Sequence, residues 1–274
     1  MAKISELMAQ AEHPFYSLEF FPPKDAAQMP DFFAAAAALK EARPLFVSVT
    51  YGAGGARQAN TLEIALALKE KYGFEPMTHL TCVGSRRERM ADFLEQLRGL
   101  GIDNVLALRG DAPRPGSAGE APHDWSGGDF QHASDLIAFI RERFPDLCVG
   151  AAGYPNPHPE SSSRERDRFY TLKKLEAGGD FLITQLFFET GEYLRFMDDL
   201  RALGVDKPVL PGVMPVQSLE SLDYVVSLCG AVVPAEYRRE LERARMRGGS
   251  AAVREAGVLY AAGQVRELMA AGAP

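Results

Sequence analysis

Glu19 is a carboxylate set in an apolar run, Ser17-Leu18-Glu19-Phe20-Phe21, that Pro22 and Pro23 bring to a stop. Burying an ionised carboxylate is costly. Desolvation would raise its pKa and make it a general acid near neutral pH. The plainer alternative is a solvated rim carboxylate, or one paired with an Arg of the next strand. Arg109-Gly110-Asp111 ends a second apolar run. Gly lets a ligand come close to the backbone; the flanking Arg and Asp could bind a phosphate and a heterocycle, or simply pair with each other. Gln185 stands inside Leu182-Ile183-Thr184-Gln185-Leu186-Phe187-Phe188. A buried amide needs partners, and a heterocyclic substrate can supply both a donor and an acceptor. Tyr154-Pro155-Asn156-Pro157-His158-Pro159 is a stiff segment that either presents Tyr154 and His158 to a ligand or only shapes a turn. His79 is either a satisfied core histidine or a cofactor contact. The glycine-rich turn after Thr50, Tyr51-Gly52-Ala53-Gly54-Gly55, does not match the dinucleotide fingerprint, and no phosphate-binding P-loop pattern occurs.

These residues sit where the sequence pattern places strand ends. Glu19, Thr50, His79, Arg109, Ala152, Gln185 and Val213 mark seven apolar runs, about 30 residues apart except for one longer interval, the length of a βαβ unit. Between them lie helical patterns of period 3.6: residues 31–43, 61–71, 88–100, 134–143, 165–177, 192–203 and 218–228, with two more at 235–247 and 251–270. Gly73, Gly101, Gly178, Gly204 and Gly230 follow five of them, as left-handed helix caps do. Repeated βα units with apolar strands predict a parallel sheet covered by helices. The fold class expected is therefore α/β, a (β/α)8 TIM-type barrel of one domain over residues 1–274, with seven units readable. In that barrel the active site lies at the C-terminal strand ends. One connection is out of proportion. Residues 112–131 are rich in Gly and Pro and follow Asp111 directly. A loop of this length in a compact domain is commonly functional. We expect an active-site lid, with Trp125, the single Trp, as an apolar cover.

The composition narrows the class. The chain has 274 residues, 46% hydrophobic and 24% charged, with a net charge of −7. It carries no Lys/Arg cluster of the kind that marks nucleic-acid binding, and no run of apolar residues long enough to span a membrane. Cys82, Cys148 and Cys229 are widely spaced, and the five His residues show no metal-ligand spacing. No metal, nucleic-acid or membrane partner is expected. The N-terminus lacks the apolar stretch of a signal peptide, which leads to an expected cytoplasmic location.

Seven segments in register resemble the methylenetetrahydrofolate reductase family, the bacterial-type flavoprotein barrel. They are SLEFFPPK, PLFVSVTYGAGG, THLTCVG, VLALRGD, GYPNPHPES, LKKLEAGGDFLITQLFFE and VLPGVMPV, running in order over residues 15 to 216. The resemblance implies a ping-pong reaction in which NADH or NADPH reduces bound FAD and 5,10-methylenetetrahydrofolate then accepts hydride, giving 5-methyltetrahydrofolate. It implies that Glu19 and Asp111 are catalytic. Glu19 would protonate the folate N10, and Asp111 would contact flavin and pterin. Gln185, Asp111 and Thr50 would bind substrates. Thr50, Tyr51, Ala53, His79, Arg109, Gly110, Asp111, Ala133, Tyr154, His158, Asp167, Lys173 and Lys174 would contact FAD. Two other readings stand beside it: a flavin- or folate-binding barrel without turnover, and a related flavin barrel that oxidises a cyclic amine.

The family pattern continues with an eighth strand and a helix, whereas this sequence reaches Pro274 where that strand should begin. Seven strands would expose two sheet edges, a liability unless covered. A homo-oligomer, or a partner chain over the open edge, is therefore expected.

Overall fold

The computed structural model describes residues 2–23, 25–50, 55–110 and 128–274. Asp111, Tyr51, Ala53, Trp125 and most of the expected lid lie outside them. The chain divides into two compact units, residues 1–151 with 174–180, and residues 152–173 with 181–274. Its strands form a seven-stranded sheet whose order is the chain order.

In the first unit, helix α1 (Ile4–Gln10) precedes β1 (Leu18–Phe20), α2 (Met29–Leu39), β2 (Val47–Val49), α3 (Gly55–Glu70), β3 (Pro76–Thr81), α4 (Arg87–Gly99), β4 (Asn104–Leu108), α5 (Ala133–Arg143) and β5 (Cys148–Gly153). The strands β1 to β4, and β4 with the first-unit part of β5, pair in parallel. Their register places Glu19 beside Ser48, Ser48 beside Met77, and Met77 beside Asn104. Side chains alternate along a strand, so Glu19, Ser48, Met77 and His79 lie on one face of the sheet. The opposite residues, such as Phe20, Val49 and Leu80, are buried in the core. Ala and Leu carry the helix interiors, and α4 buries Met90, Phe93, Leu94 and Leu97 at the expected spacing.

Helix α1 was not legible as a helix. It ties to the start of β4 and β5. The Ile4 amide donates to Asn104 Oδ1 at 2.8 Å, Asn104 Nδ2 donates to the Ala2 carbonyl and to Glu75 Oε1, and the Ser5 amide meets Cys148 Sγ. Asn104 is fully buried, so its amide is satisfied by this segment, as a buried polar group must be. Asp180 likewise takes the Val149 amide at 2.7 Å and Arg141 Nη2 at 2.6 Å.

In the second unit, α6 (Arg164–Glu176, mostly within it), β6 (Phe181–Thr184), α7 (Thr190–Ala202), β7 (Val209–Leu210), α8 (Leu219–Cys229) and α9 (Ala235–Ala270) follow. Strands β6 and β7 pair in parallel. Helix α9 is two helices joined at Gly248 and Gly249, whose backbones leave the helical region, matching the two helices expected at 235–247 and 251–270. A core of Phe188, Val216, Leu222, Tyr237, Leu241 and Val253 holds α8 and α9 together. Gly257 permits the contact: a Cβ there would stand 2.0 Å from the Val216 carbonyl oxygen. All five glycines expected as helix caps have positive φ, the region that glycine enters without steric cost.

Candidate functional site

Glu19 is the middle residue of β1, beside Ser48 on β2, and both share a face with His79 on β3. Ser48 Oγ donates to Glu19 Oε2 at 3.5 Å, and His79 Nε2 stands 3.4 Å from the same oxygen. Ser48 and His79 are buried, at 4% and 7% exposure. The Glu19 side chain is 41% exposed, so the desolvation expected from its apolar neighbours is not found. Leu18 and Phe20 lie beside it in sequence, but strand alternation turns Phe20 to the other face. Nor does an Arg of the next strand pair with it; the neighbour is a histidine. The His79 Nε2 atom is at ion-pair distance from Glu19, yet the alignment makes no hydrogen bond, so it is a buried polar atom without one. Such atoms are few in folded proteins and ask for an explanation.

Strand β4 delivers Arg109 and Gly110 to the same end. The Val83 amide donates to the Arg109 carbonyl at 2.9 Å, and Arg109 Nε to the Gly110 carbonyl at 3.3 Å. Gly110 has φ +93°, and a Cβ there would meet Val83 Cγ1 at 2.8 Å and Thr81 Cβ at 3.1 Å. The glycine is thus required by its own strand end, a reason independent of any ligand. Cys82 lies beneath, its thiol near the Arg109 and His132 carbonyls. Burial first, and Asp135 second, push this thiol up to about 12, so it stays protonated and inert. Ala133 opens α5, where the Asp135 carboxylate takes the Gln131 and His132 amides at 2.9 Å. Thr50 directly follows β2, and its amide donates to the Phe20 carbonyl at 3.0 Å. Lys174, on α6, belongs to the first unit.

The second unit holds Tyr154, His158, Asp167, Lys173 and Gln185. The Tyr154 ring meets the His158 ring edge-to-face, with centroids 4.9 Å apart. Behind them is Arg168, which the sequence reading did not single out. It is 3% exposed. Its Nη1 donates to the Tyr154 carbonyl at 2.7 Å and to Asp167 Oδ2 at 3.0 Å. Its Nη2 reaches the Pro155 carbonyl at 3.2 Å, and its Nε reaches Asp199 at 3.0 Å. Asp167 Oδ1 accepts from the His158 amide at 3.0 Å. Both Asp167 oxygens are therefore engaged within the protein, and the buried carboxylate sets the turn that presents His158. A charged residue a third of the way into a charge-rich helical pattern gave no signal of this. Lys173 lies with Nζ 5.5 Å from the Phe169 ring.

Gln185 follows β6, its amide donating to the Gly153 carbonyl at 2.7 Å. Its side-chain Oε1 accepts from the Leu186 amide at 2.8 Å. The hydrogen-bond network thus assigns the amide orientation, with Oε1 accepting one backbone bond and Nε2 left as the donor. A separate cavity of about 880 Å³ opens between Phe188–Gly191 and the two arms of α9, lined by Tyr237, Tyr260, Glu189, Glu255 and Glu267. It contains none of the expected site residues. Among the described residues no cluster could hold a metal ion, and no helix is long and apolar enough to cross a membrane.

Residues 3–274 match the family model described as methylenetetrahydrofolate reductase. The chain is 34% identical over 280 residues to methylenetetrahydrofolate reductase (NADH) 1 of Arabidopsis thaliana, covering 98% of this chain and 46% of that protein. It is 34% identical over 243 residues to a probable methylenetetrahydrofolate reductase (NADPH) of Caenorhabditis elegans, 86% of this chain and 36% of that one. With the 5,10-methylenetetrahydrofolate reductase of Pectobacterium carotovorum subsp. carotovorum it shares 34% identity over 218 residues, 80% of this chain and 70% of that one. The chain thus spans less than half the length of the plant and nematode relatives. Among solved structures, an uncharacterized protein from Clostridium thermocellum that binds two copies of 5-methyl-5,6,7,8-tetrahydrofolic acid has a TM-score of 0.63 at 13% identity, covering 97% of this chain and 86% of that one. That likeness is one of fold.

Proposed function

The chain belongs to the methylenetetrahydrofolate reductase family, and we propose that it reduces 5,10-methylenetetrahydrofolate to 5-methyltetrahydrofolate with NADH or NADPH as the hydride source. The observation that carries this reading is the half-exposed Glu19 carboxylate on β1, with buried Ser48 bonded to one of its oxygens and buried His79 beside it. In the proposed role Glu19 donates a proton to the substrate's N10, opening the five-membered ring to an iminium ion able to accept hydride. Among the described residues no such contact falls on the other Glu19 oxygen, which is left for this transfer. Gln185 Nε2 donates to the pterin, and in the other half-reaction to the nicotinamide. Asp111 and Thr50 complete the substrate contacts in this reading.

FAD is the cofactor proposed. The buried His79 Nε2 atom without an aligned hydrogen bond fits a polar heterocycle that would satisfy it. In the first unit Thr50, Tyr51, Ala53, His79, Arg109, Gly110, Asp111, Ala133 and Lys174 are proposed to hold it. In the second unit the residues are Tyr154, His158 and Lys173, with Asp167 acting through the His158 turn. When bound, FAD supplies a two-electron carrier that can pass hydride from nicotinamide to folate. The fold is read as a (β/α)8-type barrel domain over residues 1–274, with residues 112–131 as its lid. Chain-order strands, each paired in parallel within its unit, support this. A cytoplasmic setting is supported by three buried thiols that are free. Strands β1 and β7 end the strand order, and a second copy or another polypeptide is proposed to pair with those edges; sedimentation of the purified protein tests it.

The test of activity is direct. Protein reconstituted with FAD should bleach on addition of NADH or NADPH and regain its colour with methylenetetrahydrofolate. Glu19→Gln should bleach normally but recover about 10²–10⁴-fold more slowly, the usual worth of general acid catalysis. Bleaching without folate-dependent recovery in the unaltered protein would leave the binding-only reading in its place.

A further inference from the structure

We infer that Ser48 is a positioning residue for Glu19, holding one carboxylate oxygen so that the other carries the transferable proton; this rests on the proposed role of Glu19 as the acid. Among the described residues, both polar contacts to the carboxylate fall on the same atom, Oε2: Ser48 Oγ at 3.5 Å and His79 Nε2 at 3.4 Å. Oε1 makes no contact of this kind among the described residues. A half-exposed Glu side chain is otherwise free to rotate about its last bond, which is soft and roughly two-fold. The Ser48 hydrogen bond to one oxygen, with the His79 ring packed beside it, removes that symmetry.

The register explains why these residues meet. Glu19 and Ser48 are direct neighbours across β1 and β2, and Met77 is the next along the row. His79 is two residues further up β3, on the same face, and its Nε2 reaches to 3.4 Å from Glu19 Oε2. Ser48 is the smallest residue that can fill this position and still donate. It is 4% exposed, with its backbone locked between two parallel strands, so the hydroxyl is a fixed point. A hydrogen bond of 3.5 Å is long. Catalytic hydrogen bonds are often long before substrate is present and tighten in the complex. A proton placed on Oε2 would lie between Ser48 and His79 and be lost to the substrate. With Oε2 occupied by its neighbours, a proton carried by the carboxyl group sits on Oε1, the oxygen left for the substrate.

The experiment uses the FAD-loaded full chain and each half-reaction separately by stopped flow. Ser48→Ala should slow the folate half-reaction by up to about tenfold, the upper end of what one net hydrogen bond is worth. Folate affinity and the nicotinamide half-reaction should stay within about twofold of the unaltered protein, since a positioning loss acts on the chemical step. Ser48→Thr, which keeps the hydroxyl, should restore most of the rate. In the Glu19→Gln background Ser48→Ala should have no further effect, because residues acting as a unit are not additive. An infrared difference spectrum against Glu19→Gln isolates the carboxyl stretch, and Ser48→Ala should shift it. If Glu19→Gln slows the folate step while Ser48→Ala neither slows it nor moves the band, the role of Ser48 is overturned and the acid stands. Full additivity of the two substitutions overturns it too. If Glu19→Gln leaves the folate step unchanged, the acid assignment itself falls.

Discussion

Replacing Arg168 by Leu removes the buried cation that organises the Tyr154–His158 turn. The guanidinium is 3% exposed and makes four hydrogen bonds, to Asp167, Asp199 and the carbonyls of Tyr154 and Pro155. It also lies 4.4 Å from the centre of the Phe196 ring. The consequences differ by partner. Asp199 has 36% of its side chain exposed and can turn to water. Asp167 has 6% and cannot, so it is left as a buried, unpaired carboxylate. Breaking a buried pair from one side costs about 3–5 kcal/mol. At roughly 2–4 °C per kcal/mol for a chain of this size, Tm should fall by about 6–20 °C. Thermal unfolding followed by circular dichroism measures it. The double variant Arg168→Leu with Asp167→Asn should recover part of the loss, because the neutral amide can still accept from the His158 amide and carries no charge to bury. A single variant that melts within about 1 °C of the unaltered protein would refute the argument, as would a double variant less stable than the single.

Three further outcomes are expected. Gln185→Glu keeps an acceptor for the Leu186 amide but loses the Nε2 donor, so both half-reactions should weaken by about 1–3 kcal/mol with Tm nearly unchanged; unaltered half-reaction rates would show that Nε2 meets neither substrate. The Glu75 carboxyl is held above its ordinary 4.5, first by burial and then by Asp103, against Lys69. A raised carboxyl favours the folded state at low pH and costs stability as pH climbs from 4.5 through the folded value. Glu75→Gln keeps the acceptor for Asn104 Nδ2, so its stability relative to the unaltered protein should rise between pH 4 and pH 7, and urea titrations at several pH values would expose a flat difference. Gly110→Ala meets both a positive φ and Thr81, and should lose about 1–3 kcal/mol in denaturant unfolding; a neutral result would mean that the strand end relaxes freely.

Local chemistry made much of this protein legible. Apolar runs about 30 residues apart, separated by period-3.6 patterns, placed seven strands and the helices between them. Five glycines marked helix ends because a left-handed backbone has few other occupants. Glu19, His79, Arg109, Tyr154 and Gln185 stood out as polar groups at the ends of apolar runs, and a strand's end is a local property. What tertiary structure alone decided was which polar group meets which. Ser48 and His79 converge on Glu19 through register across three strands, and no spacing within one strand encodes that. Helix α1 is short, and it is held by Asn104, about a hundred residues away. Arg168 reads as one more charge on a charge-rich helix, until the fold seals it beside Asp167 and turns a solvated cation into the anchor of the His158 turn. Glu19 shows the reverse: its apolar neighbours in sequence predicted burial, but alternation sent them to the other face and left the carboxylate open.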